Sequence, residues 1–105
     1  MRQYELVVII SPTVTEEELP DAIERLIRRP VENRGGEVQE IKQWGRRKLA
    51  YAIEKHLEGN YVLTQLRMEP QETRELEQGF HISEELIRHL LIRLDENGTS
   101  ATAAD

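Results

Sequence analysis

Arg46, Arg47 and Lys48 stand in an unbroken run, preceded by Trp44 and Gly45 and followed by the alternating segment Leu49-Ala50-Tyr51-Ala52-Ile53. Three adjacent cations are suited to gripping an anion, and a planar guanidinium can hold two phosphate oxygens at once. Lys55 closes the same block, and Arg2, Arg88 and Arg93 lie elsewhere in the chain. The run also reads as a solvated turn, so its chemistry depends on what surrounds it. Trp44 reads equally as a cap on the core or as part of an interface.

Other chemistries find little support. With no cysteine, disulfides and thiolate metal sites are excluded. His56, His81 and His89 do not fall at i, i+4 with an acid between, so they are expected at the surface rather than on a metal. Ser11-Pro12-Thr13-Val14-Thr15 is not the glycine-rich anion loop that a small phosphatase would need. The acids of the first helix read as a solvated face that is favoured near a helix N-terminus. No catalytic residues, cofactor or small-molecule substrate are therefore expected.

The formal net charge of −6 argues at first against a nucleic-acid partner, but the distribution changes the argument. From Ile41 to Met68, Lys42, Arg46, Arg47, Lys48, Lys55 and Arg67 face only Glu54 and Glu58, a local surplus of four positive charges. From Glu16 to Glu40, eight acids face Arg25, Arg28, Arg29 and Arg34, a local excess of four negative charges. With screening over about 8 Å, the two regions act almost independently. No apolar run approaches the ~20 residues needed to cross a bilayer. The opening M-R-Q-Y-E carries no signal-peptide pattern, so a soluble, cytoplasmic protein without a membrane partner is expected.

These residues must be positioned by a single small domain, as 105 residues allow. Tyr4, Leu6, Val8 and Ile10 alternate as a first strand, apolar on both faces toward its end. Thr15 and Glu18 form a capping box, with Val14 and Leu19 at the spacing of a hydrophobic staple. The stripe Leu19, Ala22, Ile23, Leu26 and Ile27 predicts a helix over 16–29, stopped near Arg29 by Pro30, with a looser turn to Asn33 and Gly35-Gly36 beyond. Val38 and Ile41 lie three apart, so the second strand is expected to carry a bulge before Trp44 and to resume through Leu49–Ile53. A turn over Lys55–Asn60 leads to a third strand, Tyr61–Met68. There Val62, Thr64, Leu66 and Met68 share one face, and Tyr61, Leu63, Gln65 and Arg67 the other. Glu69-Pro70 opens a second helix to about His81, and Ile87–Leu94 forms a fourth strand. The composition then collapses into a tail, 96–105, read as disordered after a domain spanning 1–95.

The order β-α-β-β-α-β predicts an α+β, ferredoxin-like fold: a four-stranded antiparallel sheet with two helices on one face. The other face stays free for binding, with Tyr61 and Leu63 candidates for protein contact. The third strand lacks the aromatic set of an RNA-reading RRM, and no paired aromatics are evident for stacking bases. Tyr51 reads as sheet packing.

Four segments carry a family resemblance: M-R-Q-Y-E, W-G-R-R-K-L-A-Y-A-I-E-K, G-N-Y-V-L and I-R-H-L-L-I-R-L-D. In this order and spacing the chain resembles, over about residues 1–96, the bacterial small-subunit ribosomal protein S-six family. Arg2 and Tyr4 match the family's N-terminal motif. Gly45, Arg47, Leu49, Ala50, Tyr51, Ile53 and Lys55 match its signature, and Arg88 and Arg93 match basic positions of its last strand. Ala52 stands where the family usually has proline. The resemblance implies a non-catalytic ribosomal protein that binds the central domain of 16S ribosomal RNA as a heterodimer with the small basic protein S-eighteen. On that reading Arg2, Arg46, Arg47, Lys48, Lys55 and Arg88 form a cationic rim for phosphate, and Tyr4, Trp44, Tyr61, Leu63 and Arg93 are candidates for the partner interface. The competing reading is a homo-oligomeric ferredoxin-like module that binds its own copy or a small ligand and has no affinity for RNA.

Overall fold

Strand β1 (Arg2–Ile10) is the most enclosed strand, paired antiparallel on one side with β3 (His56–Met68) and on the other with β4 (Leu86–Leu94). The computed structural model describes residues 1–53, 55–94 and 100–102, with Ile53 and the last three by backbone alone. A long β2 (Glu37–Ile53) flanks β3, giving the order β2-β3-β1-β4, with a three-residue β5 (Ser100–Thr102) added beyond β4. This is the antiparallel ferredoxin-like sheet that the element order predicts. The sequence offers no strand pattern at β5; the remaining tail residues lie outside the described ones.

One sheet face is sealed by helices. Tyr4, Leu6, Val8 and Ile10 of β1 and Val62, Leu66 and Met68 of β3 meet Leu19, Ile23, Ile27, Val31, Leu76 and Phe80 in a single buried cluster. Asn60 ties this core to the loop after β1, its side-chain amide donating to the carbonyls of Ser11 and Val14 at 3.3 and 3.5 Å. The hydroxyl of Thr64, fully buried, has no hydrogen-bond partner among the described residues.

The helical segments differ from the sequence reading in an informative way. The capping box forms: the Thr15 amide donates to Glu18 Oε1 at 3.1 Å, and the Glu18 amide to Thr15 Oγ1 at 3.2 Å. The regular helix nevertheless begins at α1 (Leu19–Ile23) rather than residue 16. Pro20 has no N–H to bond back into the preceding turn, so that turn stays irregular. Pro30 does not end the helix. The chain widens into a π-helical turn over Glu24–Arg28, with the Arg29 amide bonded to the Glu24 carbonyl, and continues as α2 (Arg29–Asn33). The wider turn changes the bonding frame just before the proline, and continuity lets both Ile27 and Val31 reach the core. The Gly36 and Gly35 amides then bond the carbonyls of Val31 and Glu32, a Schellman stop. The second helix follows expectation: a 3₁₀ turn over Pro70–Glu72 runs into α3 (Thr73–Ile82).

His89 corrects another expectation. It is buried, its Nε2 3.1 Å from Glu77 Oε1, with its ring 5.2 Å from that of Phe80 and 5.0 Å from that of His81. It links β4 to α3 from within the core.

Candidate nucleic-acid interface

The long β2 determines where the cations go. In a strand, neighbouring side chains point to opposite faces. Arg46 pairs with Asn60, a core-facing residue, while Arg47 pairs with Gly59. The apparent run of three is thus divided between the two faces.

Arg46 falls on the helix side. One guanidinium nitrogen donates to the Pro12 carbonyl at 2.9 Å and another lies 3.3 Å from Glu58 Oε1. It borders a hollow with Thr15, Glu16 and Glu17, and its charge is spent on the acidic side of the molecule. The expectation that Arg46 projects to an RNA partner is therefore not matched by its surroundings. Arg47 and Lys48 line, with Trp44 and Tyr61, an open hollow of about 360 Å³, although Lys48 pairs with Glu58 and so alternates to Arg46's face of the strand. Among the described residues neither forms an ion pair.

A bulge brings Trp44 there. Gln43 pairs with Val62 and Gly45 with Tyr61, so Trp44 is an extra residue with no counterpart on β3. Gly45 takes φ of 85°, a left-handed conformation that glycine adopts without steric cost. Trp44 remains 46% exposed. The core-cap alternative for it fails at that exposure, and Trp44 and Tyr61 border one hollow.

The far end of β2 returns toward the centre of the sheet. Leu49, Ala50 and Tyr51 line a second hollow, of about 180 Å³, with Ile9, Tyr61 and Arg88. The Arg88 guanidinium donates to the Tyr51 hydroxyl at 2.7 Å, although β4 and β2 are not sheet neighbours. Tyr51 is not packed in the sheet as expected but is 62% exposed. Nearby, Gly59 leaves room for Ile9: a Cβ at this glycine would lie 2.4 Å from the Ile9 side chain. The β2–β3 turn is tighter than the sequence predicts, because Ile53 already pairs with His56. Lys55 sits in that turn with φ of 70°, exposed; its neighbour Glu54 lies outside the described residues.

The remaining candidates do not join this end. Arg2 pairs with Met68, while Arg88 pairs with Ile9. Seven residues along β1 separate the two, about 23 Å at the rise of an extended strand. Arg93 pairs with Tyr4 at Arg2's end. Tyr4 is only 4% exposed and belongs to the core, so it leaves the candidate partner surface. Burial also pushes its phenol above the usual value, against the opposing pull of Arg93 and Arg2. Leu63 is half-buried on the helix-free face, between Val7 and Lys42 in register. The expected single rim is therefore two cationic ends: Arg47, Lys48 and Arg88 at one, Arg2 and Arg93 at the other.

The helix side is acidic, and most of its arginines are neutralised locally. Arg25 holds Glu85 with two hydrogen bonds, at 2.6 and 3.0 Å. Arg28 lies 2.8 Å from Glu24, and Arg34 reaches both Glu72 and Glu75. Among the described residues no cluster of His, Asp or Glu could hold a metal ion, and no helix is long and apolar enough to cross a membrane.

Comparison with known proteins finds relatives over most of the chain. The family model for ribosomal protein S6 matches residues 3–93. Small ribosomal subunit protein bS6 of Caldanaerobacter subterraneus is 45% identical over 96 residues, covering 91% of this chain and all of that one. The protein of the same name from Mycolicibacterium paratuberculosis is 38% identical over 97 residues, 92% of this chain and all of that one. A crystal structure of 30S ribosomal protein S6 from Thermotoga maritima superposes with a TM-score of 0.80 at 36% identity, covering 88% of this chain and 86% of that one.

Proposed function

Because the chain belongs to the ribosomal protein S6 family, we propose that it serves as a structural component of the small ribosomal subunit, binding 16S ribosomal RNA together with S-eighteen. Like the ribosomal proteins it resembles, it is not an enzyme. The observation that carries the RNA reading is the placement of Arg47 beside Trp44 and Tyr61, on the face of β2 opposite to Arg46 and the acidic helices. A cation there attracts phosphate, while the acids of the helical side repel RNA from the wrong approach. The overall charge of −6 then calls for a basic protein partner to complete the RNA-binding surface. S-eighteen supplies that charge.

Filter binding to a 16S central-domain RNA tests the reading, comparing the isolated chain with its mixture with S-eighteen over a salt series. Weak binding alone and tight, salt-sensitive binding by the pair is expected. Tight binding by this chain alone overturns the need for the partner. No binding by the pair, together with a stable homo-oligomer on a sizing column, favours the homo-oligomeric module instead.

A further inference from the structure

We propose that the hollow bounded by Trp44, Tyr61, Arg47 and Lys48 receives a single unpaired RNA base, stacked on the aromatic rings, with a neighbouring phosphate on Arg47. The inference rests on the ribosomal RNA reading and specifies how one part of that surface works. Its volume of about 360 Å³ falls within the ~300–1,000 Å³ of small-ligand sites. Aromatic rings offer a stacking surface to any base, and single-stranded segments are the part of RNA whose bases are free to use it.

Three features favour a base over a protein side chain. First, the hollow combines exposed aromatic surface with cations that form no ion pair among the described residues, the combination that matches a nucleotide's base and phosphate. Second, those cations repel a basic partner protein, so S-eighteen is electrostatically directed elsewhere. Third, the aromatic surface is built rather than incidental. The bulge leaves Trp44 without a counterpart on β3 and next to the left-handed Gly45, whose partner is Tyr61, so the indole and the phenol border one hollow. Tyr61 forms a partition between this hollow and the one lined by Leu49, Ala50, Tyr51 and Arg88.

Trp44 is the chain's sole tryptophan, so its fluorescence reports on the site directly. The protein is titrated with hexa-adenylate and with an abasic sugar–phosphate oligomer of equal length. Quenching by hexa-adenylate but not by the abasic oligomer is expected; no quenching by hexa-adenylate, or equal quenching by both, overturns the proposal. In the complex with S-eighteen, Trp44→Ala is expected to weaken binding to the 16S central domain by about 5- to 140-fold, the range for loss of one stacked base. Trp44→Phe, which keeps a stacking ring, is expected to recover part of it, and both variants should leave the salt slope unchanged. Full affinity in Trp44→Ala alongside a weakened Arg47→Ala overturns the base site while leaving the RNA reading in place. Quenching of Trp44 by S-eighteen alone assigns the hollow to the protein partner and overturns the proposal too.

Discussion

Arg46 and Arg47 are adjacent in sequence and are expected to fail in different ways when truncated. Arg47→Ala removes a cation beside the Trp44–Tyr61 hollow. Each phosphate contact contributes about 0.7 to 0.9 to the slope of log affinity against log salt. The slope for the S-eighteen complex on 16S RNA should therefore fall by about one, and the deficit of the variant should shrink about threefold to fourfold between 50 and 200 mM salt. Its thermal stability should stay close to that of the wild type. Arg46→Ala instead removes a donor to the Pro12 carbonyl and a contact with Glu58. A hydrogen bond from a charged group contributes about 1.5–3 kcal/mol. Because this guanidinium is 39% exposed, solvent screening reduces that to about 1 kcal/mol. For a domain of this size the loss lowers Tm by roughly 4–8 °C, with the salt slope intact. Calorimetry and filter binding on the two variants check this. If both lose the same salt slope and neither loses stability, the division of the run between two faces is wrong.

Three further outcomes follow from the core and the acidic side. Thr64→Val replaces a buried hydroxyl that lacks a partner among the described residues; since an unsatisfied buried group costs about 1–3 kcal/mol, urea denaturation should find the variant as stable as wild type or more so. Gly59→Ala places a Cβ 2.4 Å from the Ile9 side chain, and a loss of about 1–3 kcal/mol from overpacking is expected; an unchanged urea midpoint would show that Ile9 moves aside freely. The Arg25 guanidinium holds the Glu85 carboxyl below its usual value, and the Thr15 amide and hydroxyl do the same for Glu18. With both folded values lowered, the unfolded chain takes up protons first. The stabilisation is present above the ordinary carboxylate value of about 4.5 and is lost as pH falls through the lowered ones. Glu85→Gln should flatten the acid limb of the stability curve, and an unchanged limb would remove the pair from that account.

Much of the fold is legible where local signals agree with tertiary packing. The alternation in β1 places Tyr4, Leu6, Val8 and Ile10 on the core face, and Thr15 and Glu18 cap each other as their spacing predicts. The first helix departs because Pro30 is a strong local signal against continuation, and only the packing of Ile27 and Val31 on the sheet favours the π turn that bypasses it. The early start of β3 at His56 is hidden because this end of the hairpin lies off the core. Leu57 is 71% exposed there and gives no buried period to read. At the candidate site the cation types are legible, and so is part of their placement. Strand alternation alone separates Arg46 from Arg47, a signal available in the sequence once the run is assigned to a strand. The placement of Trp44 beside the hollow that Tyr61 lines depends on a bulge and a hairpin register, and both are set by contacts distant in sequence.

On the proposed function, RNA meets the Arg47 end of the helix-free side and not the acidic helices. Photo-crosslinking in cells separates these two surfaces, with a photoreactive amino acid in place of Arg47 or, as a control on α2, of Arg29. Adducts to 16S ribosomal RNA from position 47 and none from position 29 are predicted; equal adducts from both, or none from position 47, contradict the account.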